Sequence, residues 1–384
     1  MTWENMTSNL EIVRRWTSPR PDDLGVTFLP LHHDMGLIGT LMLPASLGAE
    51  LRVMRPEQFI ANPARWLACF GHDGATAASG PTFAFSYVQS RVADETLEGM
   101  SFQRWRMAVV GAERVDAGAL GDFIAWLKPH GLRSSVFAPA YGLAEATLAV
   151  TGARIEETPR CVRADWTALS DGAPVSVQEV AAIDEPLLRD GAEWLVSSGR
   201  PHPGVEVRIL DEEGRELSDG SLGEIFVSSP SVVDGYLGGE DSGHTRFVRD
   251  GILTGDAGFK LGGDLYVCGR LGDSLNVNGR RIYAEDLEAR ASRLPGVGLG
   301  RCVVLAGSAG GSDRVALLAQ AAPGPWIEAA TQMLRPVIGQ GPRIDVHTVP
   351  RKTIMRTSSG KPRRRAMWQA YVAGQYEAFA VASS

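Results

Sequence analysis

Met107-Ala108-Val109-Val110-Gly111-Ala112-Glu113 decides how this chain of 384 residues is read. Four mostly apolar residues stop at a glycine, the pattern of a short buried strand. A helical stretch near Ala117 to Leu127 follows, with Gly131 placed as its C-cap. Upstream, Val26-Thr27-Phe28-Leu29 and Leu51-Arg52-Val53-Met54 also read as strands. Asn62-Pro63 reads as an N-cap with proline at the first helical position, opening a helix through Trp66 and Phe70. Trp3, Met6, Leu10 and Val13 recur at helical spacing and predict an amphipathic opening helix. Strands alternating with helices predict an α/β layer with a mostly parallel sheet over 1–195.

The texture changes near residue 196. Val205-Glu206-Val207-Arg208-Ile209 alternates, Asp211-Glu212-Glu213-Gly214 reads as a turn, and Glu224-Ile225-Phe226-Val227 follows. Together with Gly262-Gly263-Asp264-Leu265-Tyr266-Val267 these predict a small antiparallel β-barrel or sheet over 196–272. From 273 to 384 the strands Leu275-Asn276-Val277 and Val303-Val304-Leu305 and helices near 284–293, 325–338 and 362–372 predict a compact α+β unit. The polar stretch 152–194 reads as an insertion or long loop.

Composition sets the class. Hydrophobic residues make up 44% and charged residues 22%, an ordinary globular balance, and the formal net charge of -7 gives no whole-chain basic field for nucleic acid or membrane. Cys69, Cys161, Cys268 and Cys302 form no CxxC pair, which argues against zinc and for reduced thiols in a cytoplasm. The start, Met1-Thr2-Trp3-Glu4-Asn5, has neither the basic nor the apolar region of a secretory signal, and no apolar run reaches membrane-spanning length. The expectation is a cytoplasmic protein with no membrane span and no nucleic-acid partner.

Four motifs carry chemistry, each beside a blander reading. In Ala140-Tyr141-Gly142-Leu143-Ala144-Glu145-Ala146-Thr147, placed after a strand, a tyrosine ring suits stacking on a purine and a carboxylate suits magnesium beside phosphate; the bland reading is a strand-to-helix turn. In Thr254-Gly255-Asp256, an aspartate on a tight turn suits a ribose diol, though such turns are common. In Gly269-Arg270-Leu271-Gly272-Asp273, Arg270 suits ribose and Asp273 a hinge, or the two simply form a surface salt bridge. In Arg356-Thr357-Ser358-Ser359-Gly360-Lys361, a small-residue loop presents a lysine suited to charge on a carboxylate and an α-phosphate. The alternative there is a solvated basic helix start that continues into Arg363, Arg364 and Arg365.

The order of these motifs across three textures resembles the adenylate-forming superfamily, and within it the fatty acyl-AMP ligases that load polyketide carrier proteins. Phe28-Leu29-Pro30-Leu31 with His33-Asp34-Met35-Gly36-Leu37-Ile38-Gly39 looks like that subfamily's histidine-aspartate motif. Val110-Gly111-Ala112-Glu113 is similar to its adenine-side motif, and Arg163-Ala164-Asp165-Trp166 to Val175 resembles an insertion that hinders the CoA-using conformation. The resemblance implies a large AMP-binding domain over 1–272 and a mobile C-terminal domain over 273–384. It implies ATP or AMP and Mg2+ as ligands, with Glu145 on the metal and His33, Glu145 and Lys361 in catalysis. Gly111, Ala112, Glu113, Tyr141 and Gly142 would line the nucleotide site, Asp256 and Arg270 would hold ribose, and Asp273 would be the hinge. Asp34, Met35 and Gly36 would border the acyl pocket. The implied reaction joins a carboxylic, fatty acid to AMP and passes the acyl group to an acyl carrier protein thiol.

The sequence also departs from the pattern. The family's Ser/Thr/Gly-rich lysine loop, which wraps the β- and γ-phosphates, has no counterpart here, so the architecture reads as a truncated adenylate-forming enzyme, incomplete at its N-terminus. Losing one donor to a developing charge typically costs about 2.7–4 kcal/mol. Gly272 stands where relatives have lysine, and His32 where they have an aromatic. Three expectations follow: a shortened but active ligase, a transfer-only enzyme using acyl-AMP, or a non-catalytic carrier-protein- or acyl-binding pseudoenzyme. A partner chain that supplies the absent segment is a further expectation.

Overall fold

The apolar run at 107–110 forms the strand Met107–Val110, the central member of a seven-stranded sheet. A computed structural model describes residues 1–165, 169–190, 194–237, 245–277, 280–309, 312–356 and 362–383. The strand order is Arg200–Pro201, Ala149–Gly152, Phe137–Gly142, Met107–Val110, Ala77–Gly80, Leu24–Thr27, Glu50–Val53. The last five run parallel and the first two attach antiparallel. Helices Pro63–Gly71, Thr82–Arg91 and Ala117–Leu127 bury Trp66, Phe70, Phe85 and Phe123 in one aromatic core with Trp105 and Phe137. Trp66 meets Phe28, Phe59, Phe70, Phe85 and Trp105 edge-on. Truncating such a side chain costs about 3–5 kcal/mol. Asn62 caps its helix as predicted, accepting from the Arg65 amide at 3.3 Å, and Gly131 takes the left-handed φ of 91° after a last 3-10 turn.

The opening helix runs Trp3–Thr17, and its predicted stripe faces inward at Val13 and, half-buried, at Met6 and Leu10, but not at Trp3. Trp3 is 75% exposed, whereas Asn9, Ile12, Val13 and Thr17 are buried. Asn9 joins the buried face because it is bonded inside, its amide donating to Ala146 and Ala149 carbonyls and to Ser231 Oγ. Apolar periodicity alone passes over a satisfied buried polar group.

The β-rich region is a five-stranded antiparallel sheet of Glu206–Leu210, Gly223–Ser228, Gly251–Leu261, Arg246–Val248 and Asp264–Arg270. The stretch expected to be irregular is structured. Arg160–Ala164 pairs antiparallel with Val177–Ala182 and with Trp194–Val196. This small sheet buries Cys161 and Val162 completely. Trp166 of the expected insertion lies outside the described residues.

Beyond 273, the hairpin Ser274–Val277 with Arg280–Tyr283 leads into helix Ala284–Ala291. A four-stranded sheet follows in the order Cys302–Ala309, Ser312–Ala319, Arg343–Thr348, Ala380–Ser383. Helices Ala284–Ala291 and Trp326–Ile338 cover one face, through Leu287, Trp326, Leu334, Val304 and Leu317. Helix Arg364–Val372 packs on the other face, where Met367 joins the core of Val303, Leu305 and Leu318. A sheet covered on both faces explains the uninterrupted apolar run Val303-Val304-Leu305. Among the described residues no helix is long and apolar enough to cross a membrane.

Candidate active site

Four neighbouring strands of the large sheet release their chains at one edge. The loops after Leu24–Thr27, Ala77–Gly80 and Met107–Val110, and the end of Phe137–Gly142, carry the motif residues. Open parallel sheets bind ligands outside the carboxyl ends of their strands. A cavity of about 1220 Å³ lies there. His33, Asp34, Met35, Gly111, Ala112, Glu113, Tyr141, Gly142, Glu145, Asp256, Arg270 and Asp273 all line it. Gly36 does not. It is buried behind the wall, where a Cβ would lie 2.3 Å from the Pro30 carbonyl oxygen. Lys361 and Thr357-Ser358-Ser359-Gly360 lie outside the described residues.

Tyr141 is part of its strand rather than beyond it, and no regular helix follows. Glu145 rides on one 3-10 turn, Ala144–Ala146. Thr147 then takes φ 70°, an arrangement that costs a non-glycine residue roughly 1–3 kcal/mol. Gly142 has a steric reason: a Cβ there would sit 1.9 Å from the Leu148 carbonyl oxygen. The Glu145 carboxylate accepts from the Tyr236 hydroxyl through Oε1. Burial and this carboxylate push the Tyr236 phenol up to about 12.

Asp256 also corrects the expectation of a tight turn. It sits inside the strand Gly251–Leu261, directly opposite Arg270. The register slips between this strand and Gly223–Ser228, and Gly255 within the slipped stretch has φ 72°. The Tyr141 hydroxyl donates to Asp256 Oδ2 at 2.7 Å, and Arg270 Nε lies 3.3 Å from Oδ1. Burial and the Asp256 charge hold the Tyr141 phenol well above its usual range. Burial opposes the Arg270 charge, but Asp256, Tyr141, Asp273 and Glu285 together more than offset it and move that pKa up.

Glu113 lines the cavity and is exposed into it. Its Oε1 accepts from the Phe83 amide at 3.0 Å, in the first turn of helix Thr82–Arg91. The protein around it raises this carboxyl, against that amide and with the help of Asp116. Ala112 beside it has φ 67°. His33 Nδ1 lies 2.7 Å from Asp34 Oδ1, and that same oxygen accepts from the Met35 amide at 2.7 Å. Met35–Met42 is a π-helix, a form frequent at functional sites.

Sequence reading missed the charge cluster beside Asp273. Arg364 Nη1 donates to Asp273 Oδ2 at 3.0 Å and approaches Glu285 Oε1 at 3.2 Å, while Nη2 bonds Glu288 Oε2 at 2.8 Å. This arginine is 12% exposed, so it is not the solvated basic patch its neighbours suggested. Burial opposes its charge, but Glu288, Glu285 and Asp273 more than offset that and raise its pKa. Burial raises Glu285 to about 7; Arg364 opposes this, and Glu288 and Asp273 add to it. Two further pairs cross from the loop after Glu113 to the helix after Tyr283: Arg114 to Asp286 at 3.3 Å and Arg293 to Asp116 at 3.1 Å.

A parallel sheet whose strand ends meet a β-rich unit and a small α+β unit around one cavity is the architecture of an adenylate-forming enzyme. The chain belongs to the family of AMP-binding enzymes, which it matches over residues 1–237. It is 31% identical over 374 residues to a long-chain-fatty-acid–AMP ligase of Mycobacterium marinum, covering 91% of this chain and 62% of that protein. It is 28% identical over 391 residues to a medium-chain-fatty-acid–[acyl-carrier-protein] ligase of Teredinibacter turnerae, covering 96% of this chain and 60% of that one. The chain therefore spans about three fifths of the length of these relatives. A solved structure from studies of the fatty acyl-adenylate ligases of E. coli and L. pneumophila superposes with a TM-score of 0.84 at 27% identity, over 98% of this chain and 67% of that one. A fatty acyl-adenylate ligase of L. pneumophila in complex with acyl adenylate and pyrophosphate gives a TM-score of 0.64 at 25% identity, over 99% and 67%.

Proposed function

We propose that this chain forms an acyl adenylate from a carboxylic, fatty-type acid and ATP and hands the acyl group to a carrier-protein thiol. The observation that carries the reading is the convergence of Tyr141, Asp256, Arg270, Glu145, His33 and Asp34 on one cavity at the carboxyl ends of the sheet. In the first step a carboxylate oxygen bonds to the α-phosphorus, and the bond to the β-phosphate oxygen breaks, releasing pyrophosphate. In the second, a thiolate bonds to the acyl carbon and AMP leaves.

Each residue has a role in this reading. Asp256 accepts from the ribose hydroxyls, with Arg270 and Tyr141 fixing its orientation. The Tyr141 ring and Gly111 to Glu113 border the base. His33, Asp34 and Met35 border the acyl group. Glu145 would hold magnesium, which when bound neutralises charge on phosphate oxygens. A single cavity carboxylate fits an ion held mainly by phosphate and water, since no cluster of three His, Cys, Asp or Glu forms a cage among the described residues. Lys361 is assigned to charge stabilisation and Asp273 to a hinge between 1–272 and 273–384. The four unpaired, buried cysteines support a cytoplasmic setting.

A transfer-only enzyme is the second reading, because Tyr141, Asp256 and Arg270, the residues assigned to the adenylate, meet at the cavity and serve acyl-AMP as well as ATP. Exchange of labelled pyrophosphate into ATP separates the two. Ligase activity gives acid-dependent exchange that Lys361→Ala abolishes. Exchange that persists in that variant removes Lys361 from the mechanism. Thioester formation from supplied acyl-AMP without exchange selects transfer, and neither reaction selects a binding protein.

A further inference from the structure

We propose that Tyr236 is a positioning residue for Glu145, fixing the carboxylate so that it meets a nucleotide-bound divalent cation without reorganising; this rests on the metal role given to Glu145 above. Glu145 stands on a single 3-10 turn, Ala144–Ala146, whose own bonds are Ala146 to Leu143 and Thr147 to Ala144, both 3.0 Å. The turn is also held from outside. Thr147, at φ 70°, donates through its hydroxyl to the Ser231 carbonyl at 2.7 Å, and the Val233 amide donates to the Glu145 carbonyl at 2.9 Å. Asn9, fully buried, donates to the Ala146 carbonyl at 3.2 Å and to Ser231 Oγ at 3.0 Å, tying the opening helix to both segments.

This scaffold fixes the backbone of Glu145 but not its side chain. The side chain is fixed by Tyr236, three residues past Val233, whose hydroxyl donates to Oε1. The Tyr236 ring is itself set edge-on against Phe247, with centroids 5.2 Å apart. An ionised carboxylate offers about four lone-pair positions, so one phenolic donor leaves it free to ligate an ion as well. Groups that orient a metal ligand in this way typically change metal affinity by about 10–100-fold when removed.

The test is calorimetric titration of the full chain with ATP, in excess EDTA and across a Mg2+ series, with Mn2+ spectroscopy as an independent reading of the ion. Tyr236→Phe keeps the ring on Phe247 and removes only the hydroxyl. The expected result is unchanged ATP affinity in EDTA and an about 10–100-fold higher Mg2+ or Mn2+ concentration for half-maximal enhancement. Glu145→Gln is expected to lose the enhancement entirely. If Glu145→Gln loses it while Tyr236→Phe matches the parent, the positioning role is overturned and the metal role of Glu145 stands. If Glu145→Gln keeps the full enhancement, or the parent shows none, the metal reading falls and takes this proposal with it. Lost binding in EDTA by Tyr236→Phe makes the tyrosine structural and also overturns the proposal.

Discussion

The Tyr141 hydroxyl donates to Asp256 Oδ2 at 2.7 Å, across 115 residues of sequence, and so joins the large sheet to the β-rich sheet at the cavity wall. Arg270 approaches the other carboxylate oxygen at 3.3 Å. Asp256 is therefore oriented before any ligand arrives. Hydrogen bonds to a charged group contribute about 1.5–3 kcal/mol each. Asp256→Asn is expected to weaken an acyl-AMP mimic roughly 10–100-fold by calorimetry. The variant should also bind ribose and 2′-deoxyribose forms alike, whereas the parent should prefer ribose. Equal preference in the parent would remove the diol role.

Arg364 bonds Asp273, Glu285 and Glu288 together. Removing one partner from a buried ionic group costs about 3–5 kcal/mol. Arg364→Ala should lower the thermal midpoint at pH 7 by that much stability. The deficit should shrink as pH falls through about 7 and Glu285 takes up its proton. Arg364→Lys should recover only part, because an ammonium does not reproduce the fork on Glu288.

Glu285 predicts a particular pH slope. Its folded pKa, about 7, lies above the ordinary 4.5. Between these values the folded chain holds a proton that the unfolded chain has released. The contribution of Glu285 to stability is thus greatest below pH 4.5 and declines as pH rises toward 7. Glu285→Gln should flatten that decline, so the variant gains on the parent toward neutral pH in denaturant titrations.

Gly142→Ala tests the turn geometry. The added Cβ meets the Leu148 carbonyl oxygen at 1.9 Å, backbone that no rotamer change relieves. The Leu143 amide bond to that same oxygen, 3.0 Å, would have to stretch. The expected result is a loss of more than about 1 kcal/mol in stability together with weaker adenylate binding. A variant as stable as the parent would show that the loop moves freely.

The parallel sheet and its helices were legible because continuous apolar runs such as Met107–Val110 and the capped helix at Asn62 carry their own local signals. The C-terminal strands and helices were legible for the same reason. The burial of Asn9 on the opening helix was not, since it depends on bonds to residues 137 and 222 positions away. The strands at 160–196 were hidden because the edge strand Val177–Ala182 is half exposed and carries Gln178 and Glu179. Gly255 looked like a turn because a left-handed glycine inside a slipped strand has the same signature. Among the described site residues, the motif positions other than Gly36 line the cavity. Tyr236 and Arg364 were silent because each acts on carboxylates 91 residues distant.

The most direct measurement is calorimetric titration of the full chain with a non-hydrolysable acyl-AMP mimic, beside Asp256→Ala. The account predicts saturable one-to-one binding by the parent and at least about tenfold weaker binding by the variant. A folded parent that does not bind the mimic, or a variant that binds it equally well, would contradict the assignment of this cavity to an acyl adenylate.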